Sequence, residues 1–543
     1  MNRFFSTFLI LSGMTGLSVY FIGLFVPKET LAESQDFTTA KVSATFVNVR
    51  QLPTLSAAEA TQLRSQERVI STRIPGGVTR LNRIKMNPLS TPEGKLAAQA
   101  NRGITPVSAP PNAKTASGTR ATSTRNCVGN AATGFAPSDS HGAVGLNNYV
   151  EVTNVDLGIY PKTGSCSPNS FVSLKAFFGI TDPNTTAFDP RAIYDFRNNR
   201  YVVTTETRKT SSTDQFQYFA VSQTGDPLGA WNVYRIPISE GSYRFCKKAL
   251  TDFWDYPNLG YNSNQWFITA NNFPTSGASY GVIMTIDKAP TLTGSVPVLR
   301  CYGTSSSTRA QVQFNVAPPL DRSTATTAYF LATDSGAGSQ LRKYTLNTLT
   351  GAMTYNTPIA IPAWTAPPGA PQPTTTLLLD TLDGRIQSNT VQIGNRVYAI
   401  HALNVGGRSA IRLYRVNAGT NTAEVRFTYV LTGLAAWGPS FAIASTGSTT
   451  SGFFAFNYSG SAQNPAAALV ASRNDGVGGF PGFTYQTGVP MTNSCQNGTR
   501  CRWGDYSATS LDPANLNSAF GVAQFMTGNS QFNWSTVIMG LRP

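Results

Sequence analysis

From Cys127 onward, apolar and polar positions alternate in short runs, broken by turns rich in Gly, Pro, Asp and Asn, a period of two that predicts β-strands. One two-part phrase keeps returning: a turn and a short apolar strand, then a polar turn and a strand built on an aromatic residue. The aromatic positions are Tyr149, Tyr201, Trp266, Tyr329, Tyr398, Phe453 and Phe520. Their spacing runs from 52 residues (Tyr149 to Tyr201) to 69 (Tyr329 to Tyr398), enough for four antiparallel strands and their loops. A third and sometimes a fourth strand can be read in most units, as in Gln217–Ser222 followed by Trp231–Ile236. The repeat predicts an all-β protein, a β-propeller of seven blades with six as the alternative count, over residues 127–543. A two-sheet sandwich gives no reason for one phrase to recur in this way.

The pattern before the repeat is different. Arg3 is followed by an uncharged apolar run from Phe4 to Val26 and then by Thr30-Leu31-Ala32, which reads as a signal peptide cleaved near Ala32. The run is also long enough to serve as an uncleaved signal anchor. Residues 33–126 are polar, rich in Ala, Thr, Ser, Arg and Pro, and lack a sustained apolar period, so a poorly ordered stalk is expected there. Ser56 carries a local helix-start signal. The expected organisation is therefore 1–32 signal segment, 33–126 stalk and 127–543 propeller, in an extracytoplasmic location, secreted or periplasmic.

Composition sharpens this picture. Only 13% of residues are charged, while Gly and Pro number 47 and 33, which suits short strands and many turns. Six cysteines in an exported chain predict three disulfides, with sequential pairing expected: Cys127 with Cys166, Cys246 with Cys301, and Cys495 with Cys501 across a short loop. Two histidines, His141 and His401, and no Cys-x-x-Cys give no zinc signature. The net charge of +15 is spread without a basic block, which argues against nucleic acid. It leaves glycans or envelope polymers as the partners to consider, with membrane contact only through the N-terminal segment.

Several phrases taken together carry a resemblance: Ser138-Asp-Ser-His-Gly-Ala-Val-Gly, Asp189-Pro-Arg-Ala-Ile-Tyr-Asp, Asp255-Tyr-Pro-Asn-Leu-Gly and Arg502-Trp-Gly-Asp-Tyr-Ser. With them the chain resembles a largely uncharacterised family of exported bacterial β-propeller-like proteins, which implies fold and export and supplies no reaction. A more distant similarity is to sialidase-like propellers, through Ser222-Gln-Thr-Gly-Asp-Pro-Leu-Gly-Ala-Trp, which departs from the usual Asp-box pattern. Turns of that kind cap a hairpin and prove no activity.

A propeller aims the start of each innermost strand at one end of its channel. The polar pairs at those starts are Asp139 with His141, Asp189 with Arg191, Asp255 with Tyr256, Asp321 with Arg322, Asp383 with Arg385, and Asp505 with Tyr506. Such a ring either grips a polar ligand or pairs internally as a structural girdle. Arginines in one phase would suit a carboxylate clamp, and a tyrosine beside an aspartate would suit an activated nucleophile. No cofactor is expected. A structural calcium on Asp252 and Asp255 is the alternative to a turn cap. His141, in a Gly-rich turn, suits an acid, base or ligand as well as plain turn structure, while His401 falls inside a strand. No Gly-x-Ser-x-Gly elbow, phosphate loop or dinucleotide fingerprint occurs. The sequence favours an extracytoplasmic binding or scaffold propeller, with a sialidase-like glycan hydrolase using channel-face Asp, Arg and Tyr residues as the alternative. It leaves open whether the protein is an enzyme.

Overall fold

The computed structural model describes residues 42–56, 59, 62, 68–69 and 121–543, the last stretch with short gaps at 210, 305–311, 447–448, 475–479, 481, 494 and 496–499. The apolar run Phe4 to Val26 and most of the expected stalk lie outside these residues. The described chain is almost wholly β, with only short helical turns such as Leu174–Phe177 and Lys288–Leu292. Among the described residues no helix is long and apolar enough to cross a membrane.

The strands form antiparallel meanders in chain order. The first runs through His141–Val144, Asn148–Thr153, Asp156–Pro161 and Ser170–Ser173. The second is Thr185–Asp195, Arg200–Lys209, Gln215–Ser222 and Ala230–Glu240. The third is Phe253–Tyr261, Gln265–Phe273, Tyr280–Asp287 and Leu299–Tyr302. Three-stranded Thr327–Ala332, Ala337–Asn347 and Met353–Thr365 comes next, then Thr390–Ile393, Arg396–Val405, Arg408–Asn417 and Thr422–Tyr429. Ala435–Thr446 opens another group of four, and Ala508–Asp512, Asn515–Met526 and Trp534–Arg542 end the chain.

The first strands of successive meanders touch: His141–Val144 lies against Thr185–Asp195, and that strand against Phe253–Tyr261. Ala435–Thr446 touches Ala508–Asp512, which returns to His141–Val144, so the ring closes. This is a β-propeller arrangement. One detail departs from separate four-stranded blades. The short strand Pro319–Asp321 pairs in parallel with both Phe253–Tyr261 and Thr390–Ile393, joining two meanders into a single nine-stranded sheet.

Closure also uses both ends of the described chain, because Thr122–Ala131 pairs with Trp534–Arg542 as the outer strand of the last meander. The propeller therefore begins before Cys127. Glu151 fastens the seam: its carboxyl accepts from the Asn130 amide at 2.9 Å and from the Thr536 hydroxyl, and burial pushes its pKa up to about 7. Within the segment read as a stalk, Ser43–Asn48 adds a fifth strand beside Ala230–Glu240, and Val49 is buried. A polar composition hid this strand, which gains its stability from the ladder on one exposed edge.

The aromatic residues of the repeat are core residues. Tyr149, Tyr201, Trp266, Tyr398 and Phe453 are each no more than 1% exposed and pack between neighbouring sheets, whereas Tyr329 is only partly buried. The disulfides are Cys127–Cys166, Cys246–Cys301 and Cys495–Cys501, the sequential pairing expected. The Ser222–Trp231 phrase forms the turn between two strands: Ser222 Oγ donates to the Thr224 carbonyl, the Leu228 amide to Asp226, and the Trp231 indole to the Pro227 carbonyl. Its side chains serve the turn, and Asp226 also pairs with Arg50 at 2.5 Å.

Candidate functional site at the two ends of the channel

Residues in the left-handed region stand at or before the channel-facing part of the first strand in every meander but the last, whose strand Ala508–Asp512 has none. These are Asp139 (φ 42°), Asp189 (49°), Tyr256 (62°), Asn315 (60°), Leu382 (58°) and Gly438 (61°). Pro190, Pro257 and Pro439 follow three of them. Register shifts at Thr204/Glu206, Asp255/Asn258 and Trp437/Ser440 mark β-bulges at the same level, which turn side chains into the channel. A left-handed Tyr or Leu costs about 1 kcal/mol or more, so the surrounding contacts must over-determine it.

Those contacts are dense at Tyr256. Its amide donates to Glu206 Oε1 at 3.2 Å and its hydroxyl to the Asp505 carbonyl at 3.2 Å. The Tyr506 hydroxyl donates to the Pro190 carbonyl at 3.0 Å. Between the two rings lies Arg191, with its guanidinium carbon 3.3 Å from the Tyr506 centroid and 5.2 Å from that of Tyr256. Its Nε donates to the Pro257 carbonyl at 2.9 Å, and its two terminal nitrogens are buried without a hydrogen-bond acceptor among the described residues. Stacking on electron-rich faces supplies part of what a carboxylate would.

Asp189, Glu206 and Asp255 bring one carboxyl oxygen each within 4.8 Å of one another, and all three are buried. Burial, together with the charges of Asp255 and Asp189, pushes the Glu206 carboxyl well above the usual carboxylate range. This trio is the described set that could hold a hard cation. Asp252, the expected partner of Asp255, accepts instead from the Tyr280 hydroxyl at 2.6 Å and the Ala249 amide at 3.2 Å, as a turn cap does.

A second network closes the ring. Asn154 accepts from the Asp189 amide at 2.9 Å and donates to Asp139 at 2.7 Å, and Asp139 accepts from the Asp505 amide at 2.6 Å. Asp505 pairs with Arg502. Arg385 pairs with Asp383 at 2.7 Å and lies 4.3 Å from the Phe314 centroid and 5.9 Å from that of Tyr256. Thus Asp189, Arg191, Asp255, Tyr256, Asp505 and Tyr506 come together, with Arg385 at their side.

Arg322 does not join them. The left-handed residue of its meander is Asn315, six positions before Asp321, so Asp321 and Arg322 sit at the far end of their strand, level with Asp195. There a cavity opens, lined by residues such as Ala192–Tyr194, Tyr261, Arg322, Asn389, Ser440–Ile443 and Ser507–Leu511. It encloses ≈ 630 Å³ including its solvent-open part, of which ≈ 60 Å³ admits the centre of a water-sized group. That is room for a few waters or one small polar group. Phe196, Leu320, Arg322 and Ser510 are its partly exposed residues, while Tyr194, Tyr261, Ser388 and Asn389 are buried. Among the described residues lining it none is Asp or Glu.

His141 links the two ends. Its Nδ1 lies 2.9 Å from the Ala192 carbonyl, its ring stands edge-on to Tyr506 at 6.0 Å, and it also lines the cavity. Burial and the Arg191 charge hold its pKa well below the ordinary histidine value, so the imidazole is neutral. His401 is buried against Trp364 and Tyr414, with its pKa lowered by burial to about 3.

Glu206 and Asn154 escaped the sequence reading because they stand on second strands or in the turn after one, not at the blade-opening turns. A signal existed for Glu206, a lone acid in the run Arg200-Tyr-Val-Val-Thr-Thr-Glu.

No family model and no curated protein matches the chain. Solved structures match at low identity. An α-L-arabinofuranosidase from Fusarium graminearum aligns with a TM-score of 0.35 at 8% identity, covering 74% of this chain and 92% of that one. A polysaccharide lyase family 25 ulvan lyase also scores 0.35, at 11% identity over 76% and 93%. A Trypanosoma rangeli sialidase mutant displaying trans-sialidase activity scores 0.31 at 8% identity, covering 65% of this chain, which spans about half (53%) of that protein's length. Similarity at this level carries no conclusion about the present chain.

Proposed function

We propose that the protein is an extracytoplasmic binding propeller that takes the polar end of a glycan or envelope polymer in the strand-end cavity. The observation that carries this reading is the cavity itself, where strands from distant parts of the chain bring aromatic residues (Tyr194, Phe196, Tyr261) and polar ones (Ser388, Asn389, Ser510) into one lining. Sugars present that mixture in reverse, with apolar C–H faces edged by hydroxyls, so the lining complements them. Three disulfides fit an oxidising compartment, and the Phe4 to Val26 run supplies the export signal.

Binding is favoured over hydrolysis by where the carboxyls lie. Most glycosidases use a pair of carboxyl groups flanking the scissile bond, and the sialidase exception uses a tyrosine nucleophile, whereas the Tyr256 and Tyr506 hydroxyls here donate to backbone carbonyls. Here Asp189, Asp255 and Asp505 are at most 1% exposed, and the cavity lining holds no carboxylate among the described residues. The test is a glycan array read beside release of reducing sugar. Retention of one glycan class without release is the expected result; turnover that is lost in Asp255→Asn would establish the hydrolase instead.

A further inference from the structure

We infer that the strand-end cavity selects an oxyanion, with Arg322 anchoring the carboxylate or sulfate substituent of a saccharide. This rests on the reading of that cavity as the glycan site and adds the ligand's charge to it.

Arg322 is the one residue with a fixed charge among the described residues lining the cavity. Its Nη2 donates to the Ile443 carbonyl at 2.9 Å, and its guanidinium lies 5.1 Å from the Phe196 centroid. It forms no ion pair among the described residues, in contrast to Arg385 with Asp383, Arg502 with Asp505 and Lys288 with Asp195. The guanidinium therefore keeps several N–H donors for a ligand. The neighbouring carboxylate, Asp321, accepts from the Ser323 amide at 2.8 Å and does not line the cavity.

A cation in a narrow, partly desolvated cavity loses hydration: burial depresses the pKa of Arg322, and the nearby Tyr261 and Asp321 offset that loss only in part, without an ion pair among the described residues. An incoming oxyanion restores that loss with charge-assisted hydrogen bonds, bidentate where geometry allows. The cavity is the right size for such a substituent rather than for a whole oligosaccharide. His141 is neutral and adds no second positive charge. The net charge of +15 favours the approach of anionic polymers at low ionic strength.

The experiment is calorimetric titration of the secreted protein with galactose, galacturonate and galactose 6-sulfate, beside thermal melts in inorganic sulfate, for the wild type, Arg322→Gln and Arg322→Lys. The wild type should bind at least one of the two anionic sugars roughly tenfold more tightly than galactose. Arg322→Gln should remove that preference, so that the anionic sugars bind no more tightly than galactose in the same variant, and should lose the stabilisation by sulfate relative to its own sulfate-free melt; Arg322→Lys should keep part of both. The carboxylate and sulfate arms identify which oxyanion the site takes. Equal binding of all three sugars by the wild type overturns the inference and leaves the glycan reading standing. If no sugar binds but sulfate stabilises the wild type and not Arg322→Gln, the oxyanion site holds and the glycan reading falls. Absence of both effects overturns both. Should Arg322→Gln fail to fold, Arg322→Lys decides, since it must weaken the anionic sugars selectively.

Discussion

The two ends of the channel are made from the same strands a few residues apart, yet their polar groups face different things. At the strand starts, Asp189, Glu206, Asp255, Arg191 and Asp505 turn toward one another and toward backbone groups, and each is buried. At the strand ends, Arg322 faces a cavity whose lining holds no carboxylate among the described residues and is rimmed by partly exposed side chains. Density of charge is thus a poor guide to a ligand site in this fold. A converging ring of Asp and Arg drawn inside by the strands is taken up by its own members, aromatic faces and backbone, even where Arg191 keeps terminal nitrogens without an acceptor among the described residues, whereas a cation without an ion pair among the described residues beside open space is left with something to bind.

If that contrast holds, substitutions at the first end change stability and those at the second change binding. The largest effect is expected from Arg191→Ala, which empties the space between Tyr256 and Tyr506 and removes the positive charge from among buried carboxyls. A loss of about 3–5 kcal/mol in urea unfolding is the expected outcome. A loss under roughly 1 kcal/mol would show that the strand-start end is not a girdle.

Next comes pH. Burial and the charges of Asp255 and Asp189 raise the Glu206 carboxyl in the folded state, so the stability tied to its protonated form is complete below the ordinary carboxylate pKa and is lost as pH rises through its raised value. Glu206→Gln imitates the protonated form. Urea melts between pH 5 and 8 should therefore show a shallower decline with pH in Glu206→Gln than in the wild type. Parallel declines would place the proton elsewhere. Glu151 and Asp156, both raised by burial to about 7, add the same sign in both proteins, while Lys247, lowered by burial to about 7, penalises the folded state below that pH.

A smaller effect isolates one hydrogen bond. Tyr506→Phe keeps the ring under Arg191 and loses the donor to the Pro190 carbonyl, which should cost about 1 kcal/mol of stability and leave sugar binding unchanged. The smallest belongs to the cavity. Ser388→Ala should stay within about 0.5 kcal/mol of wild-type stability and weaken sugar binding only a few-fold; a large destabilisation would mean that the strand-end lining is structural as well.

Much of the fold was legible in the sequence, because period-two alternation and turn residues are local properties. Tyr149, Tyr201 and Trp266 announced buried second strands, and the short loop between Cys495 and Cys501 announced its disulfide. The strand Ser43–Asn48 was not legible, since an edge strand added to a finished sheet requires no apolar face of its own. Arg322 was assigned to the wrong end for a related reason: Asp321-Arg322 looks like the other Asp-Arg phrases, but strand phase is set by the left-handed residue, and in that meander it is Asn315.

By itself, then, the sequence determined most strands of the repeat, the presence of three cysteine pairs and the set of polar residues available to the channel. Only the tertiary structure decided which of those residues meet. Asp189, Glu206 and Asp255 lie on three strands of two meanders and become a buried trio because bulges turn the strand starts inward. Arg322 is left facing the cavity because its strand runs past that level before it ends. Residue type fixes what a side chain can do, but its depth along the channel depends on strand register, and register is settled by pairing with segments far away in the chain.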